Sequence, residues 1–393
     1  MRVLKLLLAG ALGVGLAVGG VVQASPAAAE MYVDDVPVDG WDVNGRVLAT
    51  EIVGDVVYVG GNFTAAISPT GARVTRNRLA AFSMITGELI TGWRADAGAG
   101  VTSLASDGEA LYVGGHFGRI NNVVRTRLAK VSLATGAVDR AFVASADAGV
   151  RAVAVRGDDL YVGGAFLAVN GVAKNRVAKL DARTGALATA FRASASGPVY
   201  SLVAHPRQDV VYAAGPFAQL NGTARAGVGG LDGTTGATTG PAFASSARPT
   251  LALDVDDDGS RLFGAGGSGA NEISAWSTAT GARSWRVASM GDNQAIEHFR
   301  GTVFAGFHDG FRNDNSVKVV AIDAATGAVD ADWRPRVNEF WGVFAIDASD
   351  AGVVVGGDFR SVSGVPTGYV ARFGAAAPPP PAPSTPTPAT AAG

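Results

Sequence analysis

The feature that most constrains this chain is its self-similarity at a period near fifty residues. Thr-Gly pairs begin at Thr86, Thr135, Thr184, Thr235, Thr280 and Thr326, with successive spacings of 49, 49, 51, 45 and 46. A second landmark, clearest as Y-V-G-G-x-F, starts at Tyr58, Tyr112 and Tyr161, and looser copies start at Tyr212, Phe263, Phe304 and Val354. Seven copies of one unit are therefore written into the chain. A period of this length describes supersecondary units that cannot bury their apolar faces alone and must pack on their neighbours.

Each unit reads in the same order. In the second copy an apolar run at Val101 to Ala105 is followed by an Asp107-Gly108 turn and the run Leu111 to Gly115. After a loop come Leu128 to Leu133, the Thr135-Gly136 turn and a last stretch ending at Phe142. Short apolar runs separated by Gly and Asp turns predict antiparallel strands in hairpins, four to a unit. Four short strands per repeat predict an all-β fold, a seven-bladed β-propeller of four-stranded antiparallel blades over residues 30–374. Paired glycines inside a strand predict a bulge or a close backbone approach, since glycine otherwise weakens a strand. Two aromatic sets recur along the units, five of the first, Phe63, Phe117, Phe166, Phe217 and Phe359, and six of the second, Trp93, Phe142, Phe191, Phe243, Trp285 and Trp333. Such recurrence is what packing between units demands, so both sets are expected in the core. The seventh unit stops at Phe373 without its last strand, and Met31 to Trp41 ends in the missing aromatic. That segment is expected to complete the seventh blade and remove an exposed edge.

The ends differ from the body. Arg2 and Lys5 precede an uncharged run from Leu6 to Val22 and an Ala-x-Ala pattern through Ala29, which reads as a cleaved signal peptide over residues 1–29. The protein is therefore expected outside the cell or at the cell wall, with no membrane span after cleavage. Residues 375–393 are rich in Pro, Thr and Ala and are expected to form an extended disordered tail. The chain has no Cys, which excludes disulfides, thiolate metal sites and a Cys nucleophile. A net charge of −2 argues against nucleic-acid binding, and a monomer is expected.

The string YVGGHFGRINNVVRTRLAKVSLATGAVDRAF at residues 112–142, with its neighbours, resembles the bacterial delta-60 repeat propellers. The similarity runs over residues 44–374 and is loosest in the fifth unit, where the loop after Gly267 is short. The resemblance implies a propeller fold and an extracellular setting. It supplies no catalytic residues to carry over.

Three groups of residues are candidates for chemistry. In the first three units Arg76 and Arg78, Arg125 and Arg127, and Lys174 and Arg176 recur before the third strand. This basic arc is expected to hold an anionic surface polymer, with Arg76, Arg125 and Lys174 pointing outward and the other three paired within the blades, Asp139 and Asp181 being possible partners. A second group, Glu297, His298, His308, Asp309, Asp314 and Glu339, would serve a catalytic or metal site at the channel mouth, although Glu297 and His298 should point to opposite faces of their strand. Asp254, Asp256 and Asp258 match the opening of a Ca²⁺ loop, but its later ligand positions are Leu262 and Ala265. No cofactor is expected, and Ca²⁺ is the one ion these acids could take. The reading that follows is a secreted non-catalytic module binding a cell-surface polymer, glycan or extracellular protein through its loop face. An extracellular lyase, hydrolase or quinoprotein with a site near blades 5–7 is the alternative.

Overall fold

The computed structural model describes residues 33–375, and every element among them is a β-strand. Residues 1–32, which include the expected signal peptide, and the tail beyond Ala375 lie outside the described residues. Each repeat builds one antiparallel sheet in which first, second and third strands are neighbours. In the second sheet these are Val101–Ser106, Ala110–Gly115 and Leu128–Ser132, with Tyr112 opposite Ala105 on one side and Lys130 on the other. The first strands of successive sheets lie side by side, and Gly342–Ser349 of the seventh lies against Val47–Val53 of the first.

The paired glycines have the expected cause. The partner strand bulges opposite them, between Val47 and Ala49 in the first sheet and between Val101 and Ser103 in the second. A Cβ on Gly60 would lie 2.5 Å from Val101 Cγ1 of the second sheet, so the missing side chain is the socket for the neighbour's valine. Gly114 receives Val150, Gly163 receives Val199, and Gly356 of the last sheet receives Val47 of the first. Both aromatic sets are buried. Tyr58 meets Trp93 edge-on at 5.2 Å between ring centroids, and Tyr112 with Phe142, Tyr161 with Phe191, Tyr212 with Phe243 and Phe304 with Trp333 repeat the pair. Tyrosine hydroxyls then donate to the next sheet, Tyr58 to the Leu133 carbonyl and Tyr112 to that of Ala182.

The fourth strand is shorter than expected. It is a single antiparallel bridge in the first, second, third and sixth sheets, as at Phe82 with Leu89, and two residues in the fourth. Among the described residues, only the fifth sheet has a full fourth strand, Arg283–Ala288. There Trp285 and Val287 alternate with exposed residues, a strand pattern. In the first, second, third and sixth sheets a single apolar residue, Leu89, Val138, Leu187 or Val329, makes the bridge before the chain turns to send its aromatic between sheets. At the N-terminus Val33 and Val38 pair antiparallel with Ala375 and Arg372, which puts this segment beside the third strand of the seventh sheet. Ala375, assigned to the tail from composition, thus belongs to the paired body. Arg372, itself buried, donates to the Trp41 carbonyl at 3.0 Å.

Candidate functional site

The first strands present one equivalent position toward one another: Glu51, Ala105, Ala154, Val203, Asp254, Glu297 and Asp347. Register fixes the equivalence, since each lies opposite the first residue of the Y-V-G-G motif or its counterpart. Three consecutive sheets carry Ala or Val there, and the other four carry acids. A first strand has no strand partner on its inner side, so its outward N–H groups need acceptors. Asp347 accepts from the Ile52 amide of the next sheet at 2.5 Å, and Asp254 from that of His298 at 2.5 Å. The Ser106 backbone likewise lowers the proton affinity of Glu51. No such donor lowers the affinity of Glu297 for its proton.

Burial raises the proton affinity of all four acids, and the charges of the other carboxylates add to it for Glu51, Asp254 and Glu297. Asp254 and Asp347 are pushed up to about 7. The four residues are half-buried and keep some solvent exposure. Among the described residues no three His, Asp or Glu side chains are grouped to hold a metal ion.

A second departure from the repeat lies at the end of the sheets where first strands begin. Phe340 and Trp341 precede the seventh first strand, where the six earlier repeats have Asn44-Gly45, Gly98-Ala99, Asp147-Ala148, Ser196-Gly197, Ala247-Arg248 and Met290-Gly291. Both aromatics are exposed, 52% and 44%. They stand between two left-handed residues, Glu339 at φ 64° and Gly342 at φ 62°. A glutamate in that region is strained, and such strain is held where surroundings or function require it. The two rings meet edge-on at 5.1 Å, and His308 packs against Phe340 at 5.2 Å and Trp341 at 5.7 Å. Arg46, paired with Asp358 at 2.7 Å, lies over the indole at 5.8 Å. Beside Phe340 a cavity of about 390 Å³ is lined by Asp309, Lys318, Asn338 and Glu339.

The basic arc is not arranged as expected. Arg76, Arg125 and Lys174 are the buried members, 4%, 9% and 9% exposed. Arg76 donates to the carbonyls of Thr75 and Thr91, Arg125 to those of Val124 and Asp139, and Lys174 to that of Phe191 at 2.5 Å. Each ties the third-strand loop to the start of the crossing to the next sheet. Arg78, Arg127 and Arg176 do pair internally, but with the carbonyls of Ala97, Ala146 and Ala195 and not with carboxylates. All three have left-handed backbones near φ 70°. The outward direction assigned to Arg76, Arg125 and Lys174 is therefore corrected. Chain carbonyls that lack strand partners bury these cations.

The second group also divides. Glu297 belongs to the inner acids, while His298 is buried on the other face, stacked on Phe263 at 5.3 Å, and its burial lowers its proton affinity. His308, Asp309 and Glu339 gather around Phe340. Asp314 bonds Ser316 and Arg336, which hold its carboxyl down to about 2. The three acids of the fifth sheet diverge as well. Asp254 faces inward, whereas Asp256 accepts from the Arg261 amide and Asp258 from the Ser260 amide in the hairpin turn. Sequence reasoning missed Glu51, Asp347, Phe340 and Trp341. Aligning the repeats position by position would have marked them as unlike their equivalents.

No family model matches the chain, and no curated protein does. Among solved structures it is similar to the crystal structure of a computationally designed protein, Ika8, with a TM-score of 0.51 and 15% identity over 88% of this chain and 100% of that one. At that identity the likeness concerns the fold alone.

Proposed function

We propose that this chain is a secreted seven-bladed β-propeller of the delta-60 repeat type, and that it works as a non-catalytic module binding a glycan of the cell surface at the end of the sheets that carries Phe340 and Trp341. Seven repeats whose first strands neighbour one another, with Val47 seated on Gly356 as each valine is on the preceding sheet, support the ring. One observation carries the binding reading: an exposed aromatic pair replaces mostly small residues at this place in one repeat of seven. Large exposed apolar groups rimmed by polar ones mark interaction sites, and rigid rings offer contact area at small entropic cost. The C–H faces of sugar rings fit such rings, with Arg46, His308 and Asp358 left to meet the hydroxyls. Pulldown of the purified protein on glycans and cell-wall fractions tests this. Retention that is lost in Trp341→Ala and Phe340→Ala is expected, and retention unchanged by both overturns it.

A second reading has the raised proton affinity of Glu297 in its favour. A carboxyl whose proton affinity is raised by burial and by neighbouring carboxylates is suited to general acid catalysis on a glycan. Hydrolysis or elimination products from the retained glycans, abolished by Glu297→Gln, would establish that reading over the first.

A further inference from the structure

The junction of the first and second sheets holds a cavity of about 540 Å³, lined by Arg78, Arg94, Arg119, Asp96, Asn77 and Asn121 among others. It opens at the same end as the aromatic pair, because Arg78 bonds Gly61 and Arg119 bonds Gly98, both beside first-strand starts. We propose that this cavity binds an oxyanion, the carboxylate or phosphate group of an acidic ligand. Its three cations face a single carboxylate. Asp96 is already engaged by Arg94 Nε at 2.6 Å and by the amide and side chain of Asn77. Arg78 spends one nitrogen on the Ala97 carbonyl. Arg119 lays its stem along Gly98, and among the described residues its guanidinium makes no hydrogen bond or ion pair. The excess of positive charge is felt nearby: after burial, the charge of Arg94 is the next cause holding the buried Arg76 guanidinium below its ordinary range.

The repeat shows that this composition is not a requirement of the fold. At the second junction the same three places hold Arg127, Val143 and Ala168, and at the third Arg176, Arg192 and Gln219. Ala97 pairs with Ile120, Ala146 with Val169 and Ala195 with Leu220, so the backbones match while the charges do not. Guanidinium forks facing an aqueous cavity suit carboxylate and phosphate, which accept two parallel hydrogen bonds from one arginine.

The test is an NMR titration of arginine Nε–H resonances at low salt with sodium glucuronate, inorganic phosphate and uncharged glucose. Saturable shifts with at least one of the anions and none with glucose are expected. Arg119→Gln should weaken that binding roughly tenfold or more, the loss of a charge-assisted pair, while Arg73→Gln, an exposed change on the first sheet's outer hairpin, should leave it unchanged. A response to glucuronate alone assigns the anion to an acidic sugar, and one to phosphate alone to a phosphate-bearing ligand. Absence of saturable shifts with both anions, equal loss in Arg73→Gln, or full binding in Arg119→Gln overturns the proposal. Trp341→Ala should keep the anion response, which separates this cavity from the aromatic pair.

Discussion

Sheets two to four and sheets five to seven with the first are built on one repeat, yet they differ at the positions that face the interior. Where the first group has Ala105, Ala154 and Val203, the second has Asp254, Glu297, Asp347 and Glu51. The first group keeps its outer hairpins and short fourth strands, while the fifth sheet drops the hairpin and extends its third and fourth strands to six residues each. The aromatic pair lies in the second group as well. Positions that every copy keeps are those where sheets press on one another. Positions that differ are free of that demand, so chemistry can be placed there without dismantling the packing.

The largest effect is expected at the seam of the second group. Deletion of residues 31–43 removes the pairing of Val33 and Val38 and the carbonyl that receives Arg372. The melting temperature should fall by on the order of ten degrees. An unchanged value, read by calorimetry, would mean that the seventh sheet does not depend on this segment. The next effect belongs to the regular group. Changing Arg76, Arg125 and Lys174 to Gln should cost roughly 1–3 kcal/mol per site, because buried carbonyls lose their donors. Denaturant unfolding within error of the parent would restore the outward placement.

The inner acids sharpen the comparison through pH. Their folded proton affinity exceeds that of the unfolded chain, so their contribution is intact below about pH 4 and is lost as pH rises, through about 7 for Asp254 and Asp347. Glu297→Gln should accordingly raise the melting temperature at pH 8 by roughly 2 °C and change it little at pH 4. Ala154→Glu in the regular group should do the reverse at pH 8. If both variants show the parent's pH dependence, the two groups do not differ electrostatically. The smallest effect concerns Ca²⁺. Added at excess it should leave the melting temperature unchanged, because Asp254 is turned away from Asp256 and Asp258; a rise would show that the three do converge on an ion.

The fold was largely legible. Glycine pairs, turn dipeptides and recurrent aromatics report local strand and packing requirements, and those recur because each sheet meets the same neighbour. The site was less so. Glu297, His308, Asp309 and Glu339 were singled out as candidates for a catalytic or metal site, but Phe340 and Trp341 were not, since no motif in the repeat covers the residues before a first strand. Arg76 and Arg125 misled for the opposite reason. A cation beside a turn reads as surface, and nothing local reveals that unpaired carbonyls of the crossing chain will bury it.

By itself, then, the sequence determined the repeat unit, its strands and the aromatic contacts between units, because these depend on residues close along the chain or on one neighbour of identical kind. Only the tertiary structure decided which acids meet, which cations are buried and which aromatics stand in water. Glu51 and Asp347 lie almost three hundred residues apart, and their proximity depends on the last sheet lying against the first. Proton affinity and exposure follow from that proximity, through desolvation and charge, and no pattern within a single repeat encodes it.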